Sequence, residues 1–233
     1  MQNWDFKLEN FEINYMLLSD FYIKNRPVIL SFLGFYLIGL IPLIYFGNYE
    51  FSISFNSIHH PFADFFFKNI TYIGDGITAF IIVLVVFLIK KREGLMVLVS
   101  LLLTTAVAQF LKRYVFSDLF RPTYVFKDLV DNGSWYLVEG VNLHEKYSFP
   151  SGHTATVFSV LILIALLIKN KKISFFLVFI SFVVGLSRIY LSQHFLIDVL
   201  AGSLLGTFFS VLTYYFFSTY LNKKKQNTPN NDG

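Results

Sequence analysis

The sequence predicts an all-α fold, a polytopic membrane bundle of six transmembrane helices with interfacial amphipathic helices beside them. Three observations predict it. Hydrophobic residues make up 55% of the 233-residue chain and charged residues only 15%, where a soluble domain carries about 25% charge. The charges gather in clusters separated by long apolar runs, as in a chain that crosses a bilayer repeatedly. Two further segments place their apolar residues on one helical face, the pattern of helices that lie in a membrane surface.

The elements follow in order. In residues 1–26, Trp4, Leu8, Phe11, Tyr15, Leu18 and Tyr22 recur at alternating steps of four and three, with Asp5, Glu9 and Glu12 off that face. An interfacial helix is expected there. The first span is expected over 28–46, too far from the start for a signal peptide and with no small-residue cleavage site after it. Phe51, Phe55, Ile58, Phe62 and Phe65 share a face, so a second interfacial helix is expected over 51–70. Five more apolar runs cover 77–89, 95–111, 154–168, 173–191 and 197–221. Crossing takes about 20 residues, so the shorter runs must borrow flanking ones. The longest polar loop is 112–153, and residues 222–233 read as a disordered polar tail. The expected organisation is one membrane domain over 1–221, with no internal repeat.

Lysine and arginine orient the bundle. Six spans place both termini on one side with the loops after spans two and four. That side holds Lys7, Lys24, Arg26, Lys90, Lys91, Arg92, Lys169, Lys171, Lys172, Lys223, Lys224 and Lys225, which is 12 of the 19 Lys and Arg. Of the seven opposite, Lys112, Arg113, Arg121 and Arg188 belong to motifs and have another reason to exist. The positive-inside rule then places both termini in the cytoplasm and the 112–153 loop outside, in a plasma or inner membrane. The net charge of +4 is thereby a matter of topology, and no nucleic-acid partner is implied. The chain has no Cys, which excludes thiol catalysis, disulfides and Cys-ligated zinc.

Three segments carry chemistry, and the topology brings all three to the outer face. The first runs from Lys112-Arg113 to Arg121-Pro122, the second is Pro150-Ser151-Gly152-His153, and the third runs from Ser187-Arg188 through His194 to Asp198. Arg121, Arg188 and Lys112 or Arg113 are fixed cations suited to a phosphate. Ser151 is a helix-capping residue type and Gly152 allows close backbone approach, so the helix that follows offers free N–H groups to an anion. His194 and Asp198 lie one helical turn apart, where a carboxylate can hold an imidazole in one tautomer. Two histidines around one phosphate suggest that one attacks phosphorus and the other protonates the leaving oxygen. No metal and no cofactor is required. Each residue alone would pass as an interfacial charge, a cap or a helix-end signal. The set together is not explained that way, because charges tucked against membrane spans default to function.

The set resembles the type 2 phosphatidic acid phosphatase superfamily, which also includes glucose-6-phosphatase-like enzymes and soluble vanadium haloperoxidases. The family signature is K-x6-R-P, P-S-G-H and S-R-x5-H-x3-D. Residues 150–153 match the second part in full, and Ser187, Arg188, His194 and Asp198 match the third. The resemblance implies that His194 is a nucleophile forming a phosphohistidine, that Asp198 orients it, and that His153 is the general acid. It implies that Ser151, Gly152, Arg121 and Arg188 hold the phosphate. One departure stands out: the family spacing puts the first lysine at position 114, which is Tyr114 here. An expanded turn would bring Lys112 to the phosphate, with Arg113 as the alternative. The expected substrates are lipid phosphates: undecaprenyl or another polyprenyl diphosphate first, phosphatidylglycerol phosphate or phosphatidic acid, and a lipid A phosphate as the alternative. A phosphotransferase with an acceptor other than water is the rival enzyme, and a non-enzymatic transporter or scaffold the rival of another class.

Other residues have plainer expectations. His59 and His60 read as loop or interface residues, since neighbouring histidines on a helix point apart. His144 and Glu145 could touch a headgroup. Trp135 and Tyr136 read as interfacial anchors, and Asp75, between two glycines, as a turn residue.

Overall fold

The computed structural model describes the backbone of residues 2–226 and the side chains of residues 19–218. Its order is α1 (Gln2–Asn56), α2 (Pro61–Ile70), α3 (Gly76–Ile89), α4 (Lys91–Phe110), α5 (Pro122–Val125), α6 (Lys127–Asp131), α7 (Gly152–Leu167), α8 (Lys171–Tyr190) and α9 (Leu196–Gln226). Among the described residues there is no strand. Each of the six expected apolar runs falls in its own helix: α1, α3, α4, α7, α8 and α9.

Three boundaries differ from expectation. No break separates residues 1–26 from the span at 28–46: α1 continues through Pro27 and kinks only at Gly47, where φ is +75°. Glycine alone adopts that conformation readily. The side chains of the expected face from Trp4 to Leu18 lie outside the described residues. The helix expected over 51–70 is split. Pro61 has no N–H to continue a helix and favours a first helical turn, and it forces His60 into an extended conformation (φ −157°, ψ 138°). His60 Nδ1 then caps α2 by accepting from Phe62 N at 3.2 Å. The tail expected from residue 222 begins inside α9, and residues 227–233 lie outside the described ones.

Among the described residues, four helices are long and apolar enough to cross a membrane: α1 from Ser19, α4 with the turn that follows it, α8, and α9 to Ser218. α2 and α3 reach that length only together, across a bend of 55°. α7, with 16 residues, is short. Six spans are thus not confirmed as such: among the described residues four helices qualify alone, beside a bent pair and the short α7.

α7 is the central helix. Val157, Phe158, Val160, Ile162 and Leu163 are buried on every side of it, as in a helix enclosed by protein. α4, α8 and α9 surround it. α9 approaches closest through Gly202 and Gly206, where an added Cβ would stand 2.6 Å from Ser151 O and 2.4 Å from Ala155 O. Small residues four apart allow this backbone contact in a membrane bundle. Ser210 Oγ continues the seam by donating to Ser159 O at 2.9 Å. The outer faces are apolar: Leu37, Ile38, Ile44, Phe80, Leu88 and Ile89 are all exposed. That surface is suited to lipid.

The two ends of the bundle differ. At one, Lys24 Nζ donates to Tyr214 Oη at 2.8 Å, and Lys24, Lys169 and Lys171 line a cavity of about 300 Å³. At the other, Asn48 Oδ1 accepts from Ile197 N at 3.2 Å, and the three motif segments meet.

Candidate active site

The chain reverses between α8 and α9 through Leu191–Phe195, with Ser192 in the left-handed region at φ 55°. This reversal collects Arg188, Gln193, His194 and Asp198. His194 is 1% exposed, and its Nδ1 lies 3.4 Å from Asp198 Oδ2 without completing a hydrogen bond. That oxygen also accepts from Ser148 Oγ at 2.5 Å and Phe195 N at 2.9 Å, so the carboxylate is fixed. With Nδ1 turned to Asp198, Nε2 is the ring nitrogen left for chemistry. Burial pushes His194 well below the ordinary imidazole range, and Arg121, Lys112, Arg188 and His153 add to the shift. This direction favours the neutral imidazole, the form of the ring that can act as a nucleophile.

The second segment is tied to the third, because Ser151 N donates to Asp198 O at 2.9 Å. Ser151 caps α7, its Oγ accepting from Thr154 N at 3.5 Å and from Thr154 Oγ1 at 2.9 Å. Gly152 and His153 open the helix, placing its free N–H groups beside the site.

The first segment shows the widened turn. Residues Leu111–Val115 form a single π turn after α4, which inserts extra backbone. Lys112 is buried, and its Nζ donates to Tyr147 O at 2.7 Å, while Arg113 is exposed. Arg121 donates from Nε to Lys146 O at 3.0 Å and from Nη1 to Gln193 Oε1 at 2.9 Å. Burial holds its guanidinium below the usual arginine range, with Asp198 pulling the other way. Arg188 donates from Nη1 to Thr71 Oγ1 at 2.7 Å and from Nη2 to Gln193 Oε1 at 3.4 Å. One amide oxygen thus bridges two guanidiniums, a place an anionic oxygen would fill better.

Two cavities meet here. One, of about 900 Å³, is lined by Lys112, Arg113, Arg121, Gly152, His153 and His194, with His144 and Glu145 on its rim. The other, of about 320 Å³, shares Arg121, His144 and His153 and adds Lys68, Arg188 and Gln193. The structure therefore brings all eight sequence-expected residues into one cluster. Lys112, Arg121, Gly152, His153, Arg188 and His194 line it, while Ser151 and Asp198 stand behind.

Sequence reasoning missed four participants: Ser148, Gln193, Thr71 and Asp75. Gln193 and Ser148 lie beside motif residues, but only their burial marks them. Thr71 and Asp75 come from the turn between α2 and α3, far from every motif in sequence. Asp75 is indeed a turn residue, its Oδ1 accepting from Ile77 N at 2.8 Å. Its Oδ2 also lies 3.8 Å from His153 Nε2. Trp135 is not a surface anchor: it is 6% exposed and its Nε1 donates to Ser192 Oγ at 2.9 Å, bracing the reversal that carries His194. Tyr136 donates to Asp64 Oδ2 at 2.5 Å, and this bond, with burial, raises the phenol above its ordinary range. His59 stacks on Tyr136, ring centroids 3.9 Å apart.

A bundle of membrane helices holding three cations, a carboxylate-backed imidazole and a second imidazole around two adjoining cavities defines a phosphatase of the membrane type. The PAP2 superfamily model matches residues 93–221, and the chain belongs to that superfamily of lipid phosphatases. It is 28% identical to a lipid A 4'-phosphatase of Bacteroides thetaiotaomicron over 184 residues, 75% of this chain and 79% of that one. It is 39% identical to the undecaprenyl-diphosphatase BcrC of Bacillus subtilis over 74 residues, 32% of this chain and 37% of that one. The crystal structure of Aquifex aeolicus LpxE superposes with a TM-score of 0.59 at 28% identity, covering 72% of this chain and 94% of that one.

Proposed function

We propose that the protein hydrolyses a lipid phosphate through a phosphohistidine on His194. The observation that carries this reading is the buried His194–Asp198 pair, set against a cavity that His153, Lys112 and Arg121 share. His194 Nε2 attacks phosphorus, the phosphorus–oxygen ester bond breaks, and His153 gives a proton to the leaving oxygen. Water then attacks the phosphohistidine and returns a proton to His153, releasing inorganic phosphate. Lys112, Arg121, Arg188 and the α7 N-terminus stabilise the charge on the transferring group. Asp198 orients His194.

The lipid's acyl or prenyl tail stays in the bilayer and its head enters at the extracytoplasmic face, with both termini cytoplasmic. Residues 1–221 act as one domain. The likeness over 79% of the lipid A 4'-phosphatase, with a cavity of about 900 Å³ that is large enough for a sugar, favours a phosphorylated glycolipid of the lipid A type. The more local likeness to an undecaprenyl-diphosphatase supports a polyprenyl diphosphate as the second reading. This reverses the order expected from sequence alone.

The test is phosphate release by purified protein from lipid A 4'-phosphate, undecaprenyl diphosphate and phosphatidylglycerol phosphate. Release is expected in excess EDTA and is expected to be inhibited by vanadate, whose five-coordinate form mimics the transition state. Loss in EDTA with recovery on Mg²⁺ would contradict the mechanism. Phosphate transfer only to an added acceptor would make the protein a phosphotransferase.

A further inference from the structure

We infer that Asp75 is a positioning residue for the proton donor, holding His153 by Nε2 so that Nδ1 meets the leaving oxygen. This rests on the phosphohistidine reading and assigns a role to a residue outside the 93–221 family match.

Four observations carry it. Asp75 Oδ2 stands 3.8 Å from His153 Nε2, an ion-pair rather than a hydrogen-bond separation, and both side chains are about one-third exposed. The carboxylate is not free to swing, since its other oxygen accepts from Ile77 N at 2.8 Å to cap α3. The turn that carries it is held against α7: a Cβ on Gly74 would lie 2.9 Å from His153 O and 3.2 Å from His153 Cβ. Only glycine permits that approach without displacement. The same turn supplies Thr71 to Arg188, so it is built into the site rather than passing by it.

The chemistry needs such a group. His153 is surrounded by Lys112 from the π turn, Arg121 from the loop, Arg188 from α8, and His194, with His144 on the wall the two cavities share and Lys68 on the smaller one. Cations that hold a phosphate oppose a further positive charge on an imidazole that must donate a proton. Asp75 is a carboxylate within reach of His153, and its charge also acts on Arg188. The two histidines are then held in complementary ways. Asp198 takes Nδ1 of the nucleophile and frees Nε2, and Asp75 takes Nε2 of the acid and frees Nδ1. As the ester bond breaks, its electron pair stays on the leaving oxygen and the Nδ1 proton moves to it. In hydrolysis Nδ1 takes a proton back from the attacking water.

The experiment compares two substrates that differ in leaving group, lipid A 4'-phosphate in detergent and p-nitrophenyl phosphate. Asp75→Asn and Asp75→Ser both keep a capping acceptor for Ile77 N and remove the charge. Each is expected to lower kcat on the lipid about 10- to 100-fold, by analogy with the loss when the outer partner of a metal-bound imidazole is removed. Each is expected to lower it by less than about threefold on p-nitrophenyl phosphate, whose leaving group needs little protonation. His153→Ala serves as reference. If it splits the two substrates and neither Asp75 variant does, Asp75 has no such role. If His153→Ala itself lowers both equally, the proton-donor assignment fails first. A loss equal on both substrates in both Asp75 variants would mean that the Asp75 charge acts on the phosphate-holding Arg188 and not on the proton donor, and would overturn the proposal.

Discussion

His194 sits 1% exposed behind a cavity of cations, and under the proposed mechanism removing it takes away the covalent route. His194→Ala is expected to lose several orders of magnitude in kcat, measured as phosphate release, with the fold intact by detergent gel filtration. The shift of His194 below the ordinary imidazole range has a pH consequence. A base whose folded value is depressed stays neutral further into acid. With p-nitrophenyl phosphate, kcat/KM is therefore expected to show no fall centred near pH 6.5, the usual imidazole midpoint, once the substrate's own ionisation is allowed for. A fall centred there would show a nucleophile in an ordinary environment. At this scale the sequence was informative where spacing carries the chemistry. His194 and Asp198 are four residues apart, the first in the reversal and the second in the first turn of α9, and Ser151 is a capping type. It was uninformative about Asp75, Thr71 and Gln193, whose roles depend on approach in space across many residues.

Helix α9 meets α7 through Gly202 and Gly206, and the site depends on that seam because Ser151 lies at its upper end. Gly206→Ala forces a Cβ against backbone at 2.4 Å, and is expected to cost about 1–3 kcal/mol, read as a lowered Tm in detergent. Gly202→Ala presses on Ser151 O and is expected to reduce activity as well. Gly34→Ala, with nothing within 4 Å, is the neutral control. All three behaving alike would show that the α7–α9 contact does not hold the site. The apolar runs made the helices legible, since each run became one helix. The boundaries were less so. An amphipathic period over 51–70 suggested one helix, but Pro61 overrode it. The period could not reveal that the resulting bend would carry Thr71 and Asp75 to the site. Trp135 looked like a surface anchor because its type prefers interfaces, and packing against the α8–α9 reversal decided otherwise.

At the scale of the whole molecule, the basic residues Lys24, Lys169 and Lys171 gather at one end and the active site forms at the other. The absence of Cys makes the expected orientation testable with single thiols. A membrane-impermeant maleimide on intact cells or spheroplasts is expected to label Asn132→Cys and spare Asn227→Cys until the membrane is opened. The reverse would place catalysis on the cytoplasmic side and remove the support for a lipid processed at the outer face. The central claim is a phosphoryl group carried by His194, and rapid quench with a ³²P-labelled lipid phosphate tests it most directly. The expected result is label bound to the protein, stable to alkali, lost in acid, mapped to the peptide that contains His194 and absent in His194→Gln. Label on another residue, or full turnover by His194→Gln, would contradict it.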